Sequence, residues 1–87
     1  MDAYEEKGRG LRLAAKELVL DFMQATTECR PGGEGMRQTA IFRGCGLDWG
    51  DYPTATSASQ QFWAVALLRE LEAESRVERN SKLWRLV

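Results

Sequence analysis

The chain has 87 residues, of which 44% are hydrophobic and 29% are charged. This length provides one small domain with a packed core and excludes a catalytic domain joined to a regulatory one. Twelve Lys and Arg against 13 Asp and Glu give a net charge of -1, so no global positive field attracts nucleic acid or an anionic membrane, and any such binding needs a local patch.

The histidine and cysteine counts exclude common metal chemistry. The chain has no His, and its two cysteines, Cys29 and Cys45, cannot close a structural zinc site by themselves. We therefore expect no metal and no cofactor. The N-terminus is acidic and lacks the apolar segment of a secretory signal, which predicts reduced thiols and a cytoplasmic location. No apolar run approaches the roughly 20 residues that span a bilayer, so no membrane partner is expected.

The first predicted element is an amphipathic helix. Residues 1–10 are predicted to be a flexible arm, because Gly8 and Gly10 interrupt any helical pattern. Residues 11–87 then form a single domain. Its first helix begins at Leu11 and ends near Thr27, with apolar side chains recurring at three and four residues. That apolar face consists of Leu11, Ala14, Ala15, Leu18, Val19, Phe22 and Met23.

A loop and a second helix follow. Residues 30–35 combine one Pro with three Gly and predict a loop. The second helix is expected over 36–45 and to end at Gly44 or Gly46 in a left-handed cap. Its inward residues are expected to be Met36, Ala40, Ile41 and Cys45. The turn-rich segment 47–56 carries aromatic residues that we expect to pin it to the body.

The third helix has the clearest signals. Ser57 and Gln60 match a capping box, in which the Ser hydroxyl accepts from an orphan amide and the Gln side chain reaches back. The helix is predicted to run to about Ser75. Its apolar stripe comprises Trp63, Ala64, Leu67, Leu68 and Leu71. We expect Trp63, together with Phe22 and Trp84 elsewhere in the chain, to lie in the core.

The last dozen residues change to a period near two, which predicts a β-hairpin. A turn at 80–81 sets Val77 opposite Trp84 on one face and Arg76 opposite Arg85 on the other. This register gives the hairpin one buried face and one exposed face. It also places two arginines side by side across the strands.

This order of elements resembles a winged-helix domain. The resemblance rests on LEAESRV at 71–77, on WRL at 84–86 and on TAIFRGCGL at 39–47, and it covers about 11–87. It implies an α+β fold of three helices followed by a C-terminal hairpin, the wing. Ser75 stands where the family often has glycine, and the connection 48–56 is longer than is usual in the family.

The resemblance further implies that the N-terminus of helix three lies in the DNA major groove and that the wing lies on phosphate. The expected function is therefore that of a regulatory domain binding double-stranded DNA. The candidate residues are Thr56, Ser59, Gln60 and Gln61 on helix three, with Thr54 and Ser57 beside them, and Arg76, Arg79, Lys82 and Arg85 on the wing. Two alternatives stay open: Ser57 and Gln60 only cap the helix, or the wing arginines pair with Glu70, Glu72 or Glu74.

A protein-protein interaction module of the same fold is the rival hypothesis. Helix three carries one basic residue, Arg69, and none in its N-terminal half, so it would bind DNA weakly unless a homodimer doubled the contacts. Exposed aromatic and Arg side chains are typical interface anchors, and here these are Trp49, Tyr52, Arg37 and Arg43. No enzyme activity is expected, because the chain lacks His and a phosphate-binding glycine loop.

Overall fold

The computed structural model describes residues 2–47 and 62–87. Three helices are followed by a C-terminal antiparallel hairpin, which confirms the predicted α+β class and a fold consistent with a small winged-helix-like domain. The elements are α1 (Asp2–Ala25), a 3-10 turn (Thr27–Cys29), α2 (Gln38–Gly44), α3 (Phe62–Ala73), β1 (Val77–Asn80) and β2 (Leu83–Leu86). The capping box predicted at Ser57 and Gln60 lies outside the described residues.

Helix α1 begins at Asp2, well before the predicted start at Leu11. Residues 2–10, predicted to be an irregular arm, are therefore helical, and every residue from 2 to 14 is exposed. Glycine inside a helix costs about 1 kcal/mol relative to alanine. Favourable local charges oppose that cost: two acidic residues stand in the first turn, and Arg9 pairs with Glu5 at 3.4 Å.

Helix α2 is shorter than predicted at its N-terminus and ends as predicted. Gly46 has φ +72°, its amide donates to the carbonyl of Arg43 at 3.1 Å, and the Leu47 amide donates to Phe42 at 2.9 Å. These two bonds form a Schellman cap, which confirms the glycine end. The helix starts at Gln38 because Met36 belongs to a strand pairing instead.

The hairpin is confirmed, but its predicted register is wrong. Val77 pairs with Leu86 and Arg79 with Trp84, and Asn80 pairs with Leu83, so the turn lies at 81–82. The turn begins one residue later than predicted, and the residues that share the buried face stay the same because side chains alternate with a period of two. The expected juxtaposition of Arg76 and Arg85 does not occur.

Met36 adds a third backbone segment to the hairpin. Its amide donates to the carbonyl of Trp84 at 2.8 Å, and the amide of Trp84 donates back to Met36 at 2.8 Å. This is a hydrogen-bonded antiparallel pair. The segment before α2 is thereby fixed to the outer edge of β2.

The core lies between the helices and one face of the hairpin. Its buried residues are Val19, Met23, Cys29, Ile41, Phe42, Ala64, Leu67, Leu68, Leu71, Val77, Trp84 and Leu86. Trp84 is in the core as predicted. Phe22 is half-buried and packs against the core. Phe42 is only 1% exposed and belongs to the core. The predictions for Trp63 and Leu11 are wrong, because these residues are 38% and 72% exposed.

Two arginines, one on α3 and one on β1, pack against the ring of Trp84. The guanidinium carbons of Arg69 and Arg79 lie 5.8 Å and 5.6 Å from the centroid of the Trp84 ring. Cation–π contacts of this kind contribute about 0.5–1 kcal/mol each at partly exposed sites.

Among the described helices, none is both long and apolar enough to cross a membrane.

Candidate functional site

A basic cleft forms where the start of α2 meets the tip of the hairpin. It is lined by Arg37, Gln38, Thr39, Arg79 and Lys82 and has a volume of about 480 Å³. Arg79 and Lys82 were predicted as wing residues, whereas Arg37 was predicted for a protein interface. The structure brings these three cations together in one concavity.

The pairing of Met36 with Trp84 explains why the cleft exists. Arg79 lies directly opposite Trp84 on β1, and Met36 lies opposite Trp84 on the other side. Arg37 follows Met36 in the chain and enters the cleft at the start of α2, while Lys82 sits in the turn of the hairpin. The cleft is therefore built by backbone pairing between segments that are distant in sequence.

The cations of the cleft have no acidic partner in the part of the chain that the structure describes. No carboxylate of residues 2–47 or 62–87 lies within ion-pairing distance of Arg37, Arg79 or Lys82. Arg79 is oriented by its contact with the Trp84 ring instead. Among the described residues, the arrangement concentrates positive charge without a carboxylate partner at a concave surface, which is the electrostatic requirement for binding a polyanion.

The other two predicted wing residues do not belong to the cleft. Arg85 pairs with Glu78 across the strands, and its Nη1 donates to the carbonyl of Gly33 at 2.8 Å. Arg76 lies at the base of the hairpin, in a separate depression with Asp21 and Val87. Arg76 and Arg85 therefore do not lie directly opposite each other as predicted, and no like-charge contact between them favours the binding of phosphate.

The acidic residues of α3 are engaged elsewhere. The Nζ of Lys16 lies 2.7 Å from Glu70 and 2.8 Å from Glu74, and Glu72 pairs with Arg69 at 3.1 Å. The alternative in which these glutamates neutralise the wing therefore does not apply in the described structure. Glu70, Glu72 and Glu74 therefore do not neutralise the cations of the basic cleft.

The Lys16 cluster has shifted pKa values with a clear cause. Hydrogen bonds to Glu70 and Glu74 raise the pKa of Lys16 above its usual value of 10.5. The hydrogen bond from Lys16 lowers the pKa of Glu70 below its usual 4.5. These ion pairs connect α1 to Glu70 of α3 and to Glu74 just after its end, so we interpret the cluster as a contact that stabilises the fold.

The two cysteines, Cys29 and Cys45, are not joined by a disulfide in the structure. Cys29 is buried, and burial raises its pKa. Burial and the neighbouring Cys29 raise the pKa of Cys45 to about 11. Within residues 2–47 and 62–87, no group of three or more His, Cys, Asp or Glu side chains is arranged to hold a metal ion.

The remaining predicted site residues lie outside the described structure. They are Trp49, Tyr52, Thr54, Thr56, Ser57, Ser59, Gln60 and Gln61. Arg43 of the predicted protein interface is in α2 and has an interaction partner. Sequence reasoning missed Gln38 and Thr39, and the one available signal was their position directly after Arg37 at a helix start.

Comparison of the chain with protein-family models, curated proteins and solved structures finds no match.

Proposed function

We propose that this protein binds double-stranded DNA through the basic cleft, as a winged-helix-like regulatory domain that has no enzyme activity. The observation that carries the proposal is the convergence of Arg37, Arg79 and Lys82 without a carboxylate beside them in the described residues. The surface is local, so it is compatible with a net charge of -1.

The chemistry of the cleft suits a phosphodiester backbone. Arg37 and Arg79 present planar guanidinium groups that can bond phosphate oxygens bidentately, and Lys82 adds a compact charge. The hydroxyl of Thr39 can donate to a further phosphate oxygen. These contacts would set the position of the domain on the duplex without reading its sequence.

Sequence reading is proposed for residues 56–61, which precede α3 in the chain, following the resemblance to winged-helix domains. Gln60 and Gln61 carry side-chain amides that can bond adenine bidentately in the major groove, and Thr56 and Ser59 can contact either base or phosphate. The described part of α3 has one basic residue, Arg69, which is paired with Glu72. The proposal therefore assigns most of the affinity to the cleft.

Fluorescence anisotropy of a labelled mixed-sequence duplex, titrated over a range of salt concentrations, tests this function. Three neutralised phosphates predict a log–log salt slope of about -2.7. The Lys82→Glu and Arg37→Glu variants should each weaken binding at low salt by about tenfold or more and reduce the magnitude of the slope. Arg79→Glu is a poorer probe because it also removes the contact with Trp84.

Arg76→Glu is the matched control, because it makes the same charge change on the hairpin but lies outside the cleft. It should weaken binding much less than Lys82→Glu. Equal losses from Arg76→Glu and Lys82→Glu would contradict the cleft as the phosphate site. No duplex binding by the unmodified chain at low salt would overturn the proposed function.

A protein-interaction module is the second candidate. The observation in its favour is the exposed Trp63, which packs edge-on against Phe42 with ring centroids 5.2 Å apart and leaves an apolar surface outside. Trp49→Ala or Tyr52→Ala should break a complex with a partner protein if this function is correct. In the DNA-binding function, the same two variants should leave the duplex affinity unchanged.

A further inference from the structure

The first half of α1 carries an apolar stripe whose residues before Ala15 are exposed in the described structure. The stripe consists of Tyr4, Gly8, Leu11 and Ala15, spaced four and three residues apart so that all lie on one side of the helix. Tyr4 is 81% exposed and Leu11 72% exposed. Further along the same side, Ala15 reaches the core and Val19 is fully buried. The stripe is thus the uncovered extension of the buried face of α1.

An apolar cleft opens beside the stripe, between α1 and α3. It has a volume of about 340 Å³, and its apolar lining includes Leu11, Ala15, Trp63 and Ala66. Arg12 and Glu70 stand at its polar margin. A projecting helix and an apolar cleft thus lie next to each other on one surface, and such a patch can be complementary to itself in a twofold dimer.

We propose that a second copy of this chain covers the stripe, with the two α1 helices packed antiparallel about a twofold axis. The stripe has the 4-3 spacing of a coiled-coil seam. In the antiparallel register centred between residues 9 and 10, Tyr4 faces Ala15 of the second copy and Gly8 faces its Leu11. Each layer then joins one large and one small side chain, so the layers are filled evenly. A Cβ added at Gly8 meets nothing within 4 Å in the single chain, so the space beside it is open to Leu11 of the second copy.

Charge complementarity selects the antiparallel orientation. Glu5 and Arg12 lie on the same flank of the stripe, one heptad apart. In the single chain Glu5 contacts Arg9 at 3.4 Å and Arg12 lies near Glu70, so the contacts with a second copy would add to these local ones. Antiparallel packing puts Glu5 of each copy beside Arg12 of the other, which makes two equivalent opposite-charge contacts. Parallel packing would put Lys7 beside Arg12 of the other copy and would leave layers of two small residues. Both the charges and the side-chain sizes therefore favour the same arrangement.

The same register places an aromatic side chain in the apolar cleft. Ala15 lines the cleft together with Trp63, and Tyr4 of the second copy faces Ala15. The ring of Tyr4 would therefore enter against Trp63 and Ala66, covering the 38% of Trp63 that is exposed in the single chain. The interface would then join apolar surface from α1 and α3 in both copies, with the polar end of Tyr4 at its rim.

Sedimentation velocity of the full-length chain over a wide concentration range tests the proposal. A concentration-dependent species of twice the 9.8 kDa chain mass is expected. Leu11→Glu should raise the dimer dissociation constant at least about tenfold, because it puts a charge in a central layer. Leu13→Glu is the matched control: Leu13 is also on α1 and 58% exposed, but lies on another side of the helix, so the dissociation constant should stay within about twofold.

A charge exchange provides a test that does not depend on removing apolar surface. Glu5→Arg and Arg12→Glu should each weaken the dimer several-fold, and the double variant should recover most of that loss, because it restores both opposite-charge contacts between the copies. Circular dichroism measures the helix content of every variant, because Glu5→Arg also removes an acidic residue of the first turn and its pair with Arg9, and some loss of helix is expected from that change alone. A chain that stays monomeric at about 1 mM would overturn the proposal. The same outcome is expected if another protein covers the stripe. A double variant as weak as the single ones, or an effect of Leu13→Glu equal to that of Leu11→Glu, would also overturn the proposal.

Discussion

Met36 and Trp84 exchange both of their backbone hydrogen bonds, each at 2.8 Å, although 47 residues separate them in the chain. This pair fixes the segment before α2 to the hairpin and brings Arg37 beside Arg79 and Lys82. It also holds Trp84 in the core, where the ring is 2% exposed and contacts two guanidinium groups. The pairing therefore serves both the stability of the fold and the construction of the basic cleft.

Gly35 is the residue on which this pairing depends most directly. It has φ +92°, and a Cβ there would lie 2.9 Å from the Cβ of Leu83 and 3.1 Å from the carbonyl oxygen of Trp84. Gly35→Ala should lower the free energy of unfolding by about 2 kcal/mol or more, because it combines backbone strain with a collision against β2. Chemical denaturation measures the loss.

Gly32→Ala is the control for that collision. Gly32 has φ +81°, but nothing lies within 4 Å of an added Cβ, so only the backbone strain of about 1–2 kcal/mol applies. Gly35→Ala should therefore be the more destabilising of the two. Equal losses would show that the close approach to β2 is not required for stability.

Ser75 ends α3 in a conformation that favours glycine. Its φ is +61°, its amide donates to the carbonyl of Glu72 at 3.0 Å, and the Arg76 amide donates to Leu71 at 2.9 Å. These bonds form a Schellman cap with serine at the left-handed position. Ser75→Gly should raise the free energy of unfolding by about 0.5–1 kcal/mol, because glycine adopts this conformation without a Cβ clash. A lower thermal midpoint for Ser75→Gly than for the unmodified chain would contradict this assignment of strain.

The Lys16 cluster predicts a pH-dependent contribution to stability. The lowered pKa of Glu70 means that its contribution is present above pH 4.5 and is lost as the pH falls through the folded-state value. The raised pKa of Lys16 means that its contribution is present below pH 10.5 and is lost as the pH rises through the folded-state value. Lys16→Met should therefore reduce stability between these limits and make less difference beyond them.

Thermal unfolding as a function of pH measures this difference. Arg9→Met is the comparison, because Arg9 pairs with Glu5 at 3.4 Å between two well-exposed side chains and should contribute little at any pH. A destabilisation by Lys16→Met that stayed constant below pH 4.5 would show that Lys16 acts through packing of its aliphatic stem and not through its ion pairs.

The sequence by itself determined the elements and the fold class. Apolar spacing located the three helices, the change to a period of two located the hairpin, and the glycine signal located the end of α2 at Gly46. The position of Trp84 on an apolar face predicted its burial. These features depend on local periodicity and local backbone preference, which neighbouring residues encode together.

Only the tertiary structure decided the hairpin register, the exposure of Leu11 and Trp63, and the composition of the basic cleft. The register follows from a turn at 81–82 with Ser81 at φ +61°, and from the pairing of Arg79 with Trp84. Arg37 lies beside the wing because its neighbour Met36 pairs with Trp84. No local sequence pattern specifies this pairing between distant segments. Such features arise from contacts between distant segments, and a pattern that identifies an apolar face does not say how much of that face another segment covers.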